Sequence, residues 1–290
     1  MLGDITRKQR QPQRSAPLTT RLADSILKGL AENRDGPAPR GGMNFRSSGI
    51  PYLCPRLYAL AMRNQCVLSP APSGDLMWTF GVGTAFHTQF QEEFLQNLPK
   101  DVFQGWWRNR ADGQVTKGEK MLGSLTLQNK WCPRPKGGDY EYVELEFYSK
   151  AYRLSGHCDG VLMWPDTEPE IFELKTIGAH RWHYVDPVCG GNPDVGHVAQ
   201  VQAYMWLSGV RKARIMYVKK DLSAKPRKVL CEHLVEYDEE IVAGIQKVLQ
   251  ECALIVDGPQ DGALPARLPE CRTKAKAFCK GGAACFAVST

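Results

Sequence analysis

From Tyr140 the chain alternates, with Val143, Leu145 and Phe147 set against Tyr142, Glu144, Glu146 and Tyr148. A period of two predicts a half-buried strand. A turn near Ser149–Ala151 leads to a second strand, about Tyr152 to Met163, and Pro165-Asp-Thr-Glu-Pro turns the chain into a third, Ile171 to Thr176. Arg214 to Lys219 and Lys228 to Val235 read as two further strands. Helical spacing predicts the other class of element. Leu22, Ile26, Leu27 and Leu30 share a face over Thr20–Glu32, and a helix starts at Pro55, since proline suits a first turn. Phe86, Phe90 and Phe94 line a helix from Thr84 to Leu98, stopped by Pro99. Asn192, followed by Pro193, caps a helix that runs to about Leu207. Ile241, Ile245, Val248, Leu249 and Cys252 lie on one side of a long helix from Tyr237 to Val256. Residues 101–139 show no period and read as irregular. The order helix, three strands, helix, strand makes this an α/β chain with a central mixed sheet flanked by helices.

Gly36-Pro-Ala-Pro-Arg-Gly-Gly42 is a linker. It separates residues 1–42, a flexible basic arm bearing Arg7, Lys8, Arg10, Arg14 and the short helix, from a compact body at 43–290. The 290 residues are 43% hydrophobic with a formal net charge of +6, a mild basic excess that fits nucleic acid without requiring it. No run approaches the ~20 apolar residues of a membrane span. The basic N-terminus lacks the apolar stretch of a secretory signal. Ten cysteines without such a signal point to a reducing compartment, as buried thiols or metal ligands before disulfides. Trp106, Trp107 and Trp131 interleave with Arg108, Arg110, Lys117 and Lys120. They either stack bases or pack a loop onto the core, and packing is the commoner use. Gly81 and Gly83 read as a close approach of backbone to its neighbours.

The chemistry gathers between Gly156 and Lys175. Asp159 sits on one strand and Glu173 and Lys175 on the next, where a spacing of two puts the last pair on one face. Carboxylates from neighbouring strands can converge on a hard divalent ion. A lysine beside them can stabilise charge growing on a phosphate oxygen. Glu-x-Lys on a strand is commonly a solvent-facing ion pair, but Ile-Phe-Glu-Leu-Lys embeds this one in apolar residues. His87 could complete a ligand shell, and Gln200 and Tyr204, four apart on a helix, share a face.

This ordered set resembles the RecB-type branch of the PD-(D/E)XK nuclease superfamily. Gly83 and His87 come first, then Gly156-x-x-Asp159-Gly160, then Glu173-Leu-Lys-Thr176, then Gln200-x-x-x-Tyr204. The resemblance implies an αβββαβ nuclease core. It implies Mg²⁺ or Mn²⁺ held by His87, Asp159, Glu173 and the carbonyl of Leu174, with Lys175 as catalytic lysine and Gln200 and Tyr204 beside the site. Cys54, in a Cys-Pro-Arg-x-x-Tyr setting, and Cys271, Cys279 and Cys285, in the C-terminal segment 265–290, are similar to the iron–sulfur members. These include CRISPR-associated adaptation nucleases and the AddB nuclease domain. That likeness implies a [4Fe–4S] cluster clasping the two ends of the body, with zinc as the alternative occupant. Seven residues separate Cys271 from Cys279, where the family usually has two. Cys66, Cys132, Cys158, Cys189, Cys231 and Cys252 read as ordinary thiols, and Arg272, Lys274, Lys276 and Lys280 as thiolate-stabilising, DNA-facing or merely solvated. The implied activity is metal-dependent hydrolysis of DNA, exonucleolytic on single-stranded ends and leaving 5′-phosphates. The implied setting is the cytoplasm of a prokaryote or phage-infected cell, in recombination, repair, phage DNA processing or CRISPR adaptation, alone or with partner proteins of those pathways. The opposing expectation is a non-catalytic DNA-binding or assembly module that uses its cysteines structurally. No Gly-x-x-x-x-Gly-Lys motif for an ATP-driven helicase is present.

Overall fold

The computed structural model of the chain describes residues 28, 44–66, 73–99, 101–116, 131–220, 229–259, 261–268, 271, 279 and 285–286. The expected helix over Thr20–Glu32 lies outside them apart from Lys28, which is helical, as does the rest of the basic arm. Lys117, Lys120, Arg272, Lys274, Lys276 and Lys280 also lie outside. Two compact units divide the chain. The first comprises Met1–Gly36 and Ala71–Gly81, and its described part carries exposed Leu76, Trp78 and Phe80 on a helix.

The second unit, Pro37–Pro70 and Val82–Thr290, holds every candidate site residue. In chain order its elements are β1 (Phe45–Arg46), a 3₁₀ turn (Ser47–Tyr52), α1 (Pro55–Met62), the C-terminal half of α2 (Gly74–Gln89), β2 (Phe103–Asn109), β3 (Val115–Thr116), β4 (Cys132–Pro133), β5 (Tyr140–Val143), β6 (Leu145–Ser149), β7 (Leu154–Cys158), β8 (Gly160–Leu162), β9 (Glu170–Ile177), α3 (Ala179–Val185), α4 (Val195–Ser208), β10 (Lys212–Lys219), β11 (Leu230–Glu236) and α5 (Glu239–Asp257). The larger sheet runs β11-β10-β9-β8-β2-β3, with β4 and β5 also on β2, and the smaller runs β1-β7-β6. β9 and β10 are parallel, so the chain between them must cross over, which it does through α3 and α4. β8, β2 and β11 join antiparallel, giving a mixed sheet.

β9 is buried on both faces. Ile171 and Ile177 join a core with Val201, Tyr204 and Met205 of α4. Phe172 and Leu174 join another with Phe90, Phe103 and Trp107. A third core packs Phe45, Ile50 and Leu154 against Ile245, Leu249 and Cys252 of α5.

Two predicted strands are each broken once. Tyr140–Tyr148 splits at Glu144, with β5 pairing β2 in one sheet and β6 pairing β7 in the other. Tyr152–Met163 splits at Asp159, between β7 and β8. Leu145 faces Cys158 in register, so the chain changes sheets at two residues on the same level. Gly160 makes the second change feasible. Its φ is 154°, and an added Cβ would lie 2.3 Å from the Phe103 ring.

The segment expected to be irregular contains β2, which pairs with four other strands. Its Phe-Gln-Gly-Trp-Trp is buried throughout, so no alternation marks it. Trp106, Trp107 and Trp131 are buried, and the Trp107 indole N–H donates to the Cys132 carbonyl at 3.0 Å, so these tryptophans pack the core. α2 begins ten residues before the expected Thr84 and passes into a π-helical turn at Phe90–Phe94 and a 3₁₀ turn at Leu95–Asn97. The wide turn shifts the phase: Phe90 and Leu95 are buried and Phe94 is 50% exposed. Asp194, not Asn192, caps α4, accepting from the Gly196 N–H at 2.9 Å. A Cβ on Gly83 would sit 3.9 Å from Thr176 Oγ1, an ordinary contact rather than a tight approach. α3 was not anticipated; at seven residues it is too short for a clear period. Among the described residues no helix is long and apolar enough to cross a membrane.

Gly160→Ala combines an unfavourable φ with overpacking against Phe103, and should cost about 2–4 kcal/mol. Urea unfolding measures this; a midpoint equal to wild type would contradict the tight approach.

Candidate active site

Asp159 lies where β8 leaves the edge of β9. The ladder ends at Gly160 opposite Phe172, so the next amide along that edge has no strand partner in β8. The Asp159 carboxylate takes that place, its Oδ2 accepting from the Leu174 N–H at 2.7 Å. Oδ1 lies 2.8 Å from His87 Nδ1 on α2, and Gln91, one turn later, donates to the Asp159 carbonyl at 3.2 Å and to Oδ1 at 3.4 Å. Asp159 is thus held from two elements and is 3% exposed.

Glu173 and Lys175 point to the α4 side of β9. Lys175 Nζ donates to Glu173 Oε1 at 2.6 Å and to Gln200 Oε1 at 2.9 Å. The Gln200 amide donates to Glu173 Oε1 at 3.0 Å and to the Tyr204 hydroxyl at 2.8 Å. Tyr204 donates to the His157 carbonyl at 2.6 Å and accepts from Ser47 at 3.0 Å. The Gly-x-x-Asp spacing now has a packing reason. A Cβ on Gly156 would meet Ser47 Oγ at 2.2 Å and the Tyr204 ring at 2.7 Å. Only glycine lets that tyrosine reach the strand carrying Asp159. His87, Asp159, Glu173, Lys175, Gln200 and Tyr204 therefore form two hydrogen-bonded groups on adjacent strands, bridged by the Leu174 amide beside Glu173.

Glu173 Oε2 is buried without a hydrogen-bond partner. A carboxylate oxygen out of water and unpaired is costly unless a proton or a cation meets it. Burial pushes the Glu173 carboxyl up to about 7, against Lys175, which lowers it, and with Asp159, which raises it. Burial is the largest influence on His87 and works against its charge, but the bond to Asp159 together with the charges of Asp159, Glu173 and Glu144 outweighs it and raises the imidazole. Burial likewise opposes the Lys175 charge, and Glu173, with Asp159 and Glu144, more than restores it, so the lysine is held protonated.

The sequence reading missed Glu144. Single ligand atoms of His87, Glu144 and Asp159 lie within 4.8 Å of one another. Glu144 is exposed at the surface, yet partial loss of water around its carboxyl and then the Asp159 charge raise it. Its signal is positional, since it occupies the other sheet-switch residue, level with Asp159. Alternation alone presents it as one polar position among several. Three or four acidic oxygens and an imidazole, one oxygen orphaned, suit a hard divalent cation.

Cys54, Cys271, Cys279 and Cys285 line one cavity, together with Arg56, Leu57, Arg267, Leu268 and Phe286. The cysteines at the two ends of the body therefore come together. Arg56 is fully buried, donating to the carbonyls of Pro265 at 2.8 Å and Cys285 at 3.5 Å, and Arg267 donates to the same Cys285 carbonyl at 2.9 and 3.3 Å. Burial raises the Cys54 thiol, as do Cys279 and Cys285 nearby, and Cys66 follows the same pattern. Four thiols beside two guanidinium groups fit an anionic thiolate-ligated centre.

No protein-family model matches the sequence, and no curated protein matches it. Among solved structures the chain is similar to an alkaline exonuclease from Laribacter hongkongensis, with 10% identity over 74% of this chain and 88% of that one, at a TM-score of 0.40. It is also similar to a phage-related exonuclease from Haemophilus somnus 129PT, with 12% identity over 74% and 94%, at a TM-score of 0.42. At this distance the chemistry is read from the site itself.

Glu144, Glu173 and His87 all bind protons more tightly folded than unfolded. Their contribution to stability is complete below the unfolded values of roughly 4.3 for Glu and 6.5 for His, and is lost as pH rises through the raised ones. His197, lowered to about 4, acts in the opposite sense below pH 6.5, so in chelator the melting temperature should fall by about 1–3 °C between pH 6.5 and 8. Glu144→Gln should flatten the slope while leaving Lys175 paired. A melting temperature that climbs over this range would refute the assignment.

Proposed function

We propose that the chain is a divalent-metal-dependent deoxyribonuclease, and an exonuclease acting on single-stranded ends. The observation that carries the reading is the orphaned buried oxygen of Glu173, beside Asp159 and a protonated Lys175. Asp159 and Glu173, with His87 and the Leu174 carbonyl, would hold Mg²⁺ or Mn²⁺. Within one strand residue the N–H and C=O leave the same edge, so the Leu174 carbonyl shares the edge on which its amide meets Asp159. Glu144 is a further candidate ligand. The bound ion supplies Lewis acidity to the phosphate and lowers the pKa of its water.

The chain's own residues do the rest. Lys175, fixed by Glu173 and Gln200, presents an ammonium to the phosphate oxygen on which charge grows. Gln200 keeps lysine and glutamate in one geometry, and Tyr204 ties Gln200 to the strand before Asp159. Asp159 orients the His87 ring. The preference for single-stranded ends, the 5′-phosphate product, the cytoplasmic setting and the contexts of recombination, repair, phage DNA processing or CRISPR adaptation, with partner proteins from them, follow from the motif resemblance. The same resemblance, with the cavity lined by Cys54, Cys271, Cys279 and Cys285, supports a [4Fe–4S] clasp, with zinc as the alternative.

Single- and double-stranded DNA, labelled and blocked at either end, tests the activity. Wild type should cut with Mn²⁺ or Mg²⁺ and not in EDTA, Glu173→Ala should lose at least about 10³-fold, and Lys175→Ala about 10²–10³-fold. Uncut DNA with wild type and Glu173→Ala alike, despite binding, would select the non-catalytic DNA-binding module.

Anaerobically purified protein should be brown, absorbing broadly near ~400 nm. Cys279→Ser should bleach it. A colourless, zinc-loaded protein would assign the cavity to zinc.

A further inference from the structure

His197, Gln200 and Tyr204 share one face of α4, at spacings of three and four. Gln200 and Tyr204 already belong to the site, and His197 continues the polar row toward the start of the helix. Its Nδ1 lies 2.9 Å from the Tyr217 hydroxyl. Tyr217 is fully buried and is the register partner of Lys175 across β9 and β10. The Asp194 backbone N–H donates to the same hydroxyl at 3.0 Å. A phenol has one proton to give, and a backbone amide can only donate. Among the described residues His197 Nδ1 is the acceptor within reach of the buried Tyr217 proton, and giving it that proton leaves no buried hydroxyl hydrogen unpaired. The ring accepts there, and as a neutral imidazole carries its proton on Nε2. Nε2 has no hydrogen-bond partner among the described residues, and the ring is half-buried.

We propose that His197 donates a hydrogen bond from Nε2–H to a phosphate oxygen of the bound DNA strand at the Lys175 end of the site. This substrate contact rests on the nuclease reading above. A neutral donor there suits its neighbours. Burial first, then Lys175 on β9 and Arg181 on α3, hold the ring neutral, and Asp194 opposes them; the result is a value near about 4. His233 of β11 also packs edge-on against the Tyr217 ring, 5.9 Å between centroids. The donor is thus present across pH 5–8. Lys175 supplies charge to the phosphate, and His197 adds direction without placing a second cation beside the first.

Two measurements on the full chain test this. Long-range ¹H–¹⁵N spectra of ¹⁵N-histidine protein, with His197 assigned through His197→Gln, should show the neutral Nε2–H tautomer from pH 8 down to 5. An imidazolium, or the Nδ1–H tautomer, at pH 7 overturns the proposal. Steady-state cleavage of a single-stranded oligonucleotide with Mn²⁺ is the second measurement. His197→Gln places an amide donor near the Nε2 position and should keep KM within about threefold. His197→Phe keeps a ring without a donor and should raise KM about tenfold, with kcat within about threefold. Tyr217→Phe frees the tautomer and should fall between them. If wild type cuts and His197→Phe has its KM, the contact falls and the nuclease reading stands. If wild type cuts no strand, both fall together.

Discussion

One hydrogen bond organises the site: the Asp159 carboxylate on the Leu174 amide. A strand that leaves a sheet strands an amide on its neighbour's edge, and a buried amide without a partner is costly. Here a side chain at the departure point fills the gap. The constraint fixes Asp159 against β9 to within hydrogen-bond tolerance, and so fixes its distance from Glu173 on the same strand. The Asp159 position is a consequence of how the backbone satisfies itself. The remaining polar groups attach to this frame, with His87 and Gln91 on one side and, through Glu173, Lys175 and Gln200 on the other.

The frame is electrostatically expensive. Glu173 and Asp159 are nearly removed from water and Lys175 partly so, and one cation among several carboxyls does not balance them. The protein responds by raising the proton affinity of Glu173, Glu144 and His87. Residues arranged for packing alone would avoid this cost, since apolar side chains of similar size would serve as well or better. Retaining the charges in a sheet otherwise filled by Ile171, Phe172 and Leu174 is consistent with the cation site proposed above.

Much of this was legible in the sequence. The alternation from Tyr140 and the apolar Ile-Phe-Glu-Leu-Lys located the strands, and the order of His87, Asp159, Glu173, Gln200 and Tyr204 located the residues that meet. What escaped has three physical sources. β2 is buried on both faces, so its Trp-Trp pair carries no period. Breaks at Glu144 and Asp159 leave the hydrophobic pattern unchanged, because a strand that switches sheets keeps its alternation; Glu144 was hidden for that reason. The π turn at Phe90–Phe94 adds a residue to a helical turn, so a spacing of four, which unites Phe86 and Phe90, fails at Phe94. The His197–Tyr217 pair depends on a long-range approach of β10 to α4 that no local spacing encodes, whereas the Asp194 cap is local and lies two residues from the Asn192 the sequence also offers as a cap.

Cys285 is gripped by its main chain. Arg56 and Arg267 both donate to the carbonyl of Cys285, and every residue type has that carbonyl. Those two contacts are therefore indifferent to which side chain stands at 285. A sulfur there answers to a different demand from the one that holds the backbone in place. The sulfur at 285 can thus be replaced without removing the two guanidinium contacts to the main chain at that residue.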